Sequence, residues 1–333
     1  MKHILKTLVA AASIGAATLA SAETLSIEGG GAASTTGLVP QSFAPYASNV
    51  GYDLQVVLGQ VLTKSIMKVA AGKLDLTVAP PPAYAAMKRG VGPYAGSADQ
   101  AKELALNVRA LFAFQGSTMH PMVWADSGIE SWADVAGKRV FVGPPAGSAA
   151  SQSMGMIHSA SGLKGGEDYE VVKLPWGQAG QGFQDGQYDV YVGYYPVGSQ
   201  TVAEIGLQRQ VRILGLPEGT TSSKAWAEYE AASGVSAVTI GAGVYGDAVA
   251  NGEADLTATA TAMMIVSHKD MSDDTAYTLT KAYFDALPEM KASNALLATQ
   301  DGDRALHGLT AKLHPGAIRY YEEMGIEVPE NLR

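Results

Sequence analysis

A chain of 333 residues with 23 basic and 32 acidic side chains, a net charge of −9 and no cysteine excludes several classes at once. An acidic surface repels phosphate backbones, so nucleic acid is not an expected partner. Without cysteine there is no disulfide, no thiolate chemistry and no lipid-carrying cysteine anchor. With 47% apolar residues and 38 glycines the composition is globular, not disordered.

Lys2 and Lys6 form a basic start, Leu8 to Leu19 is an apolar run, and Ala20-Ser21-Ala22 fits a cleavage site before Glu23. Residues 1–22 are therefore expected to be a cleaved signal peptide. The run is too short to span a bilayer, and no later run reaches about 18 apolar residues. Export without an anchor points to the periplasm. About 311 residues remain, enough for two domains. Their net charge of about −11 means that an anionic ligand needs local dipoles or one placed cation, since the overall field repels it.

Thr24 to Ile27 reads as a strand. Glu28 to Gly37 follows as a glycine-rich turn with three consecutive hydroxyl residues, Ser34, Thr35 and Thr36. It lacks the Lys-Ser/Thr of a phosphate loop. Gln55 to Leu58 reads as the next strand and Thr63 to Ala71 as a helix. A Gly-x-x-Asp-apolar pattern then recurs at Gly72–Leu76, Gly186–Val190 and Gly252–Leu256. Glycine permits a left-handed helix cap and aspartate opens the turn into a following strand. The first two copies read as helix-to-strand units of an α/β chain with parallel sheets, and the third is less clearly a core strand. Ligands of open α/β sheets bind beyond the carboxyl ends of strands. Those ends deliver the rigid turns Pro80-Pro-Pro-Ala-Tyr84 and Gly193-Tyr-Tyr-Pro-Val197. Tyr194, Tyr195 and Trp176 fit either packing or ligand contact.

Met122 to Ala125 reads as a strand, with the first crossing between domains at about residue 126. Domain I is expected at 23–126 plus 256–333, and domain II at 127–255. In domain II, Lys138 to Ile157 is the central stretch. Val140 to Val142 is a buried strand, Gly143 to Ser148 a tight turn, and a helix starts at Ala149. Such a turn aims free backbone N–H groups and a helix dipole at one point, which attracts an anion. Further strands are expected at Val171–Leu174, Val190–Val192, Val211–Leu214 and Ala262–Val266. Helices are expected at Asp273–Ala286, Pro288–Leu297 and His314–Gly325. The fold class is α/β: two lobes joined by crossing hinge strands, with a ligand cleft between them.

Catalysis has little to work with. None of the six histidines has metal-binding spacing, and there is no G-x-S-x-G elbow. Ser65-Ile-Met-Lys68 and Ser161-Gly-Leu-Lys164 match Ser-x-x-Lys without its companion motifs. No dinucleotide fingerprint occurs. No catalytic residue, metal or cofactor is expected.

The mature chain resembles the TAXI family, the substrate-binding proteins of tripartite ATP-independent periplasmic (TRAP) transporters. The resemblance is strongest at Ala125–Pro145, at Asp185-Gly-Gln-Tyr-Asp189 and at Leu313-His-Pro-Gly-Ala-Ile-Arg-Tyr-Tyr-Glu-Glu-Met-Gly325. It implies a type II-like periplasmic binding protein, a monomer and not an enzyme. Such a protein captures a small carboxylated solute, glutamate or an oxo-dicarboxylate among them, and hands it to the permease subunits of a TRAP transporter. The contacts it implies fall on Ser34 to Thr36, Thr63, Pro80 to Pro82, Gly143, Pro144, Gly147, Ser148, Ala149, Tyr194 and Tyr195. Trp176 joins them as a further wall. The chain departs from the family's pattern in three places. Ala-Ser-Thr-Thr-Gly replaces Gly-Thr-Tyr-Tyr-Pro, Ala-Gly-Ser-Ala replaces Gly-Ser-Gly-Thr, and Pro-Pro-Pro stands where a Gln-Ser pair is usual. A less polar or aromatic acid therefore stays open as the solute. So do a component of an ATP-driven importer or sensor and, behind them, an exported enzyme on a similar scaffold.

Overall fold

The computed structural model describes residues 22–145 and 147–333; all of the expected leader but Ala22 lies outside the described residues. The first lobe opens with three parallel strands, β1 (Glu23–Glu28), β2 (Tyr52–Val57) and β3 (Leu76–Ala79). Each is followed by a helix: α1 (Thr35–Asn49), α2 (Leu62–Ala70) and α3 (Pro81–Arg89). After α4 (Ala98–Ala105) the chain enters β4 (Val108–Trp124), which runs into the second lobe. There β5 (Arg139–Gly143), β6 (Glu170–Lys173) and β7 (Val190–Tyr195) are parallel and lead into α5 (Ala149–Ser161), α6 (Trp176–Gln184) and α7 (Gln200–Gln208). The chain continues through β8 (Val211–Ile213), α8 (Lys224–Ser233) and β9 (Val235–Ile240). It returns through β10 (Leu256–His268) to α9 (Asp273–Ser293) and α10 (Pro315–Glu323). One sheet results, in the order β2-β1-β3-β10-β4-β7-β5-β6, with β8 on β4 and β9 on β10.

The recurrent Gly-x-x-Asp has one job in all three copies. Asp75 accepts the Ser26 N–H of β1 at 2.8 Å, Asp189 the Arg139 N–H of β5 at 2.9 Å, and Asp255 the Ala242 N–H beyond β9 at 2.8 Å. Each carboxylate pins the neighbouring segment just before its own strand begins. Gly72 and Gly186 take the left-handed conformation with φ of 65° and 70°, whereas Gly252 does not, because no α-helix precedes it.

The hydrophobic core is divided. Residues 25–114 and 263–332 pack into one cluster, built around Phe112 stacked on Tyr283 at 4.0 Å. Residues 119–258 form two more, one on each face of the second lobe's sheet, the latter holding Trp124 on Phe183 at 4.3 Å. Within β4 the division falls between Phe114 and Met119, and within β10 between Ala258 and Met263. The β10 register slips there, from Ala260 opposite Thr118 to Ala262 opposite Gln115. An extra residue in β4 makes this a bulge, which bends and twists the pair locally.

Several elements differ from the expectations. The supposed N-terminal turn contains the start of α1, which persists through Pro40 and Pro45. Pro40 has no N–H, so the Thr36 carbonyl lacks a helical partner; it accepts the Gly30 N–H at 3.2 Å instead. The proline thereby sews the glycine turn onto its helix. Pro81 begins α3 at a position where its missing N–H costs nothing, so Pro80–Tyr84 is a helix start. The strand expected at Met122–Ala125 is only the end of the 17-residue β4, and the third Gly-x-x-Asp copy leads into a full strand of 13 residues. Asp273–Ser293 is one helix that continues through Pro288.

Candidate functional site

The carboxyl ends of the parallel strands of both lobes carry most of the candidate residues. At the end of β1, Ser34 precedes α1. Its hydroxyl donates to the Gly31 carbonyl at 2.7 Å and lies 2.6 Å from Thr36 Oγ1, so it caps no helix amide. Thr36 also requires Gly30: a Cβ there would stand 2.1 Å from Thr36 Oγ1. Thr35, only 1% exposed, reaches Ser117 of β4, with 3.4 Å between the hydroxyl oxygens. The Ser117 carbonyl in turn accepts the Thr261 hydroxyl of β10 at 3.2 Å. The first lobe's turn is thus linked to both crossing strands where the cores divide.

In the second lobe, Gly143 ends β5 with φ of 127°, and a side chain there would press on Ala149 at 2.8 Å. Pro144 is half-buried, and Gly147, with φ of 105°, is exposed. Ser148 is the N-cap of α5 yet makes no side-chain cap bond, and the first turn holds no acidic residue. The Tyr194 hydroxyl donates to the Ala149 carbonyl at 3.0 Å and lies 3.0 Å from Ser153 Oγ. Burial pushes that hydroxyl's pKa up, so it stays protonated. Trp176, 45% exposed, meets the Tyr194 ring edge-on at 5.4 Å. Behind them Tyr229 of α8 donates to the Gln152 carbonyl at 2.7 Å and fits against Gly155, holding α5 in place.

The structure brings Thr35 to β4, with Ser34 and Thr36 bonded to each other in the turn beside it, and gathers Ser148, Ala149, Trp176 and Tyr194 at the second lobe's edge. Four other candidates stand apart. Tyr195 lies back over Gly193, whose missing Cβ would fall 2.5 Å from its ring, and its hydroxyl meets that of Tyr191 at 2.7 Å. Pro81 is buried against Gly234 at the end of α8 and accepts the Thr310 hydroxyl at 3.2 Å; Pro80 is buried beside it. Thr63 is buried at the start of α2 with its carbonyl taken by the Tyr94 hydroxyl at 3.0 Å, and no hydrogen bond ties it to the other candidates among the described residues. Ser117, Ser153 and Thr261 were not singled out from the sequence. The signal for Ser117 was the polar Gln115-Gly-Ser-Thr118 break inside the apolar run of β4. Among the described residues no group of three or more His, Asp or Glu is placed to hold a metal ion.

Six helices, α1, α2, α3, α5, α6 and α7, follow parallel strands. None has a side-chain cap or an acidic residue in its first turn. In five of them the first amides have no intrahelical partner, so those strand ends present partial positive charge; α3 begins with Pro81 and Pro82, which carry no N–H, and its Ala83 N–H is taken by the Pro80 carbonyl at 3.0 Å. The closed ion pair nearest the first lobe's turn, Glu28 with Lys68 at 2.5 Å, is directed onto α2 and includes the Ser65 hydroxyl.

Two lobes joined by long crossing strands, with helix starts at the carboxyl ends of parallel strands, define the fold of two-lobed periplasmic binding proteins. The chain belongs to the NMT1-like family, whose model matches residues 45–325. Among solved structures it is similar to the periplasmic aliphatic sulphonate binding protein SsuA from Escherichia coli. The identity is 15%, covering 91% of this chain and 84% of that one, with a TM-score of 0.50. It is also similar to the alkanesulfonate-binding SsuA from Xanthomonas axonopodis (15%, 92% and 81%, TM-score 0.46). A third is a TRAP periplasmic solute binding protein from Rhodobacter sphaeroides (12%, 83% and 81%, TM-score 0.45).

Proposed function

We propose that this chain is an exported periplasmic solute-binding protein that takes a small organic acid between its lobes and delivers it to a membrane transporter. The observation that carries the reading is a continuous path of contacts between two uncapped helix starts. Thr35 of α1 meets Ser117 on β4, β4 pairs with β7, and Tyr194 of β7 reaches Ala149 at the start of α5. The acid group would be received by the bare amides of α1 and α5 with the hydroxyls of Ser34, Thr35 and Ser148, each charge-assisted bond being worth about 1.5–3 kcal/mol. Trp176 and the Tyr194 ring would wall the rest of the solute, which favours an acid with an apolar or aromatic body. No turnover is assigned; the work is closure of the cleft, which requires tighter binding to the closed form. A TRAP permease is the transporter that the TAXI-like segments support.

A thermal-shift screen of carboxylates and sulfonates, each paired with its neutral amide, tests the reading, because a solute that binds only the folded state raises the Tm. Acids are expected to raise it and amides to leave it unmoved. Equal shifts from both members of every pair, or hydrolysis of the amides, would overturn it.

A further inference from the structure

A fully buried histidine lies beneath the second lobe's edge, outside the group described above. His120 of β4 is 0% exposed. Its Nδ1 is 3.0 Å from the Thr118 carbonyl and its Nε2 is 2.7 Å from the Tyr245 hydroxyl. The Tyr245 oxygen also receives the Gly198 N–H at 3.1 Å. Donor and acceptor accounting leaves one solution. A carbonyl oxygen only accepts, so the proton must sit on Nδ1. Burial keeps the ring neutral, with its pKa lowered to about 4, so Nε2 is an acceptor and Tyr245 must donate to it. Every proton then has a place: Gly198 N–H to Tyr245, Tyr245 O–H to His120, and His120 Nδ1–H to Thr118.

The three ends of this chain matter for the site. Gly198 belongs to the turn that follows Tyr194 and Tyr195, Tyr245 to the turn beyond β9, and Thr118 to the crossing strand, where it pairs with Tyr195. The His120 ring also meets the Tyr195 ring at 6.1 Å. We propose that His120, as its neutral Nδ1-protonated tautomer, is a positioning residue that fixes the turn after Tyr194 and Tyr195 to the crossing strand through Tyr245. It touches no solute itself. This proposal rests on the solute-binding reading only for what the turn is used for, not for the proton chain.

The test uses the full-length protein without solute, so its failure and that of the binding reading are separable. Nitrogen-15 NMR of the wild type is expected to show His120 with a protonated Nδ1 and a bare Nε2. The opposite tautomer, or a mixture, would overturn the proposal whatever the variants do. Amide exchange then reads the turn. Tyr245→Phe is expected to speed exchange at Gly198 about 5- to 10-fold, as for loss of one net hydrogen bond. His120→Gln keeps an acceptor for Tyr245 and should preserve protection at Gly198; His120→Asn keeps only a donor for Thr118 and should not. Equal exchange in the two His120 variants would mean that the ring only fills space, and would contradict the assignment.

Discussion

Helices in this protein start in two different ways. The six that follow parallel strands, at the carboxyl ends of those strands, begin without a cap and without a first-turn acid. Elsewhere α8, α9 and α10 are capped: Ser223 accepts the Trp226 N–H at 3.1 Å, Ser272 the Thr275 N–H at 3.0 Å, and His314 the Gly316 N–H at 3.2 Å, while α4 has no cap bond but carries Asp99 in its first turn. The first turn of α9 adds Asp273 and Asp274. A missing cap costs about 1 kcal/mol of helix stability. Six uncapped starts at strand ends and none in those three helices is therefore a pattern that folding alone does not favour, and in five of the six it leaves free amide donors at the strand ends.

The largest expected effect concerns what supports the second lobe's edge in place of caps. His120 has its pKa lowered from 6.5 to about 4 by burial. Its folded value lies below the unfolded one, so the unfolded state binds the extra proton and stability rises with pH across that interval. Chemical denaturation should show a gain of roughly 3 kcal/mol between pH 4 and pH 7 that is missing in His120→Gln. The tyrosines around it, 191, 195 and 245, have hydroxyl pKa values raised by burial and do not titrate in this window.

A pair of glycines separates the two regions next. At the front a Cβ on Gly37 would lie 2.4 Å from the Gly31 carbonyl, and at the rear one on Gly316 would lie 2.0 Å from the Asp273 carbonyl. Both clashes are with backbone and should cost about 1–3 kcal/mol. Gly316→Ala is expected to lower the Tm and leave solute affinity intact. Gly37→Ala is expected to weaken binding about 10- to 100-fold by calorimetry, because it displaces the turn that carries Ser34. Equal loss of affinity in both would erase the distinction.

The serines sharpen it further. Ser148→Ala should weaken binding by about 1–2 kcal/mol while leaving stability almost unchanged, since Ser148 makes no cap bond. Ser272→Ala should do the reverse, costing about 1 kcal/mol of stability with no change in binding. Reversed outcomes would show that the front serine has a structural role after all.

Part of this was legible in the residues. The strand–turn–helix from Lys138 to Ile157 could be read because its residues are locally consistent, with a β-branched strand, a Gly/Pro turn and small helix-forming residues. The start of α1 could not be read, since Gly37, Pro40 and Pro45 each argue against a helix. Its stability comes from burial of Val39 and Phe43 and from the Thr36–Gly30 bond, which are tertiary. For the same reason Tyr194 and Tyr195 looked alike in sequence. Strand alternation sends one toward α5 and folds the other back over Gly193. The crossing strands were underestimated because the polar Gln115–Thr118 segment resembles a strand end, whereas it is the bulge on which the two cores divide.

One substitution sets helix stability against ligand attraction at the same place. Ser151 is exposed in the first turn of α5, and Ser151→Asp supplies the first-turn charge that α9 already has in Asp273 and Asp274. It should raise stability by about 0.3–1 kcal/mol through the helix dipole. In the same protein, the Tm rise given by the best acid of the screen should shrink or vanish, because the carboxylate occupies the donors that the solute needs. A Ser151→Asp protein that responds to that acid as strongly as the wild type would contradict the claim that the bare start of α5 receives the anion.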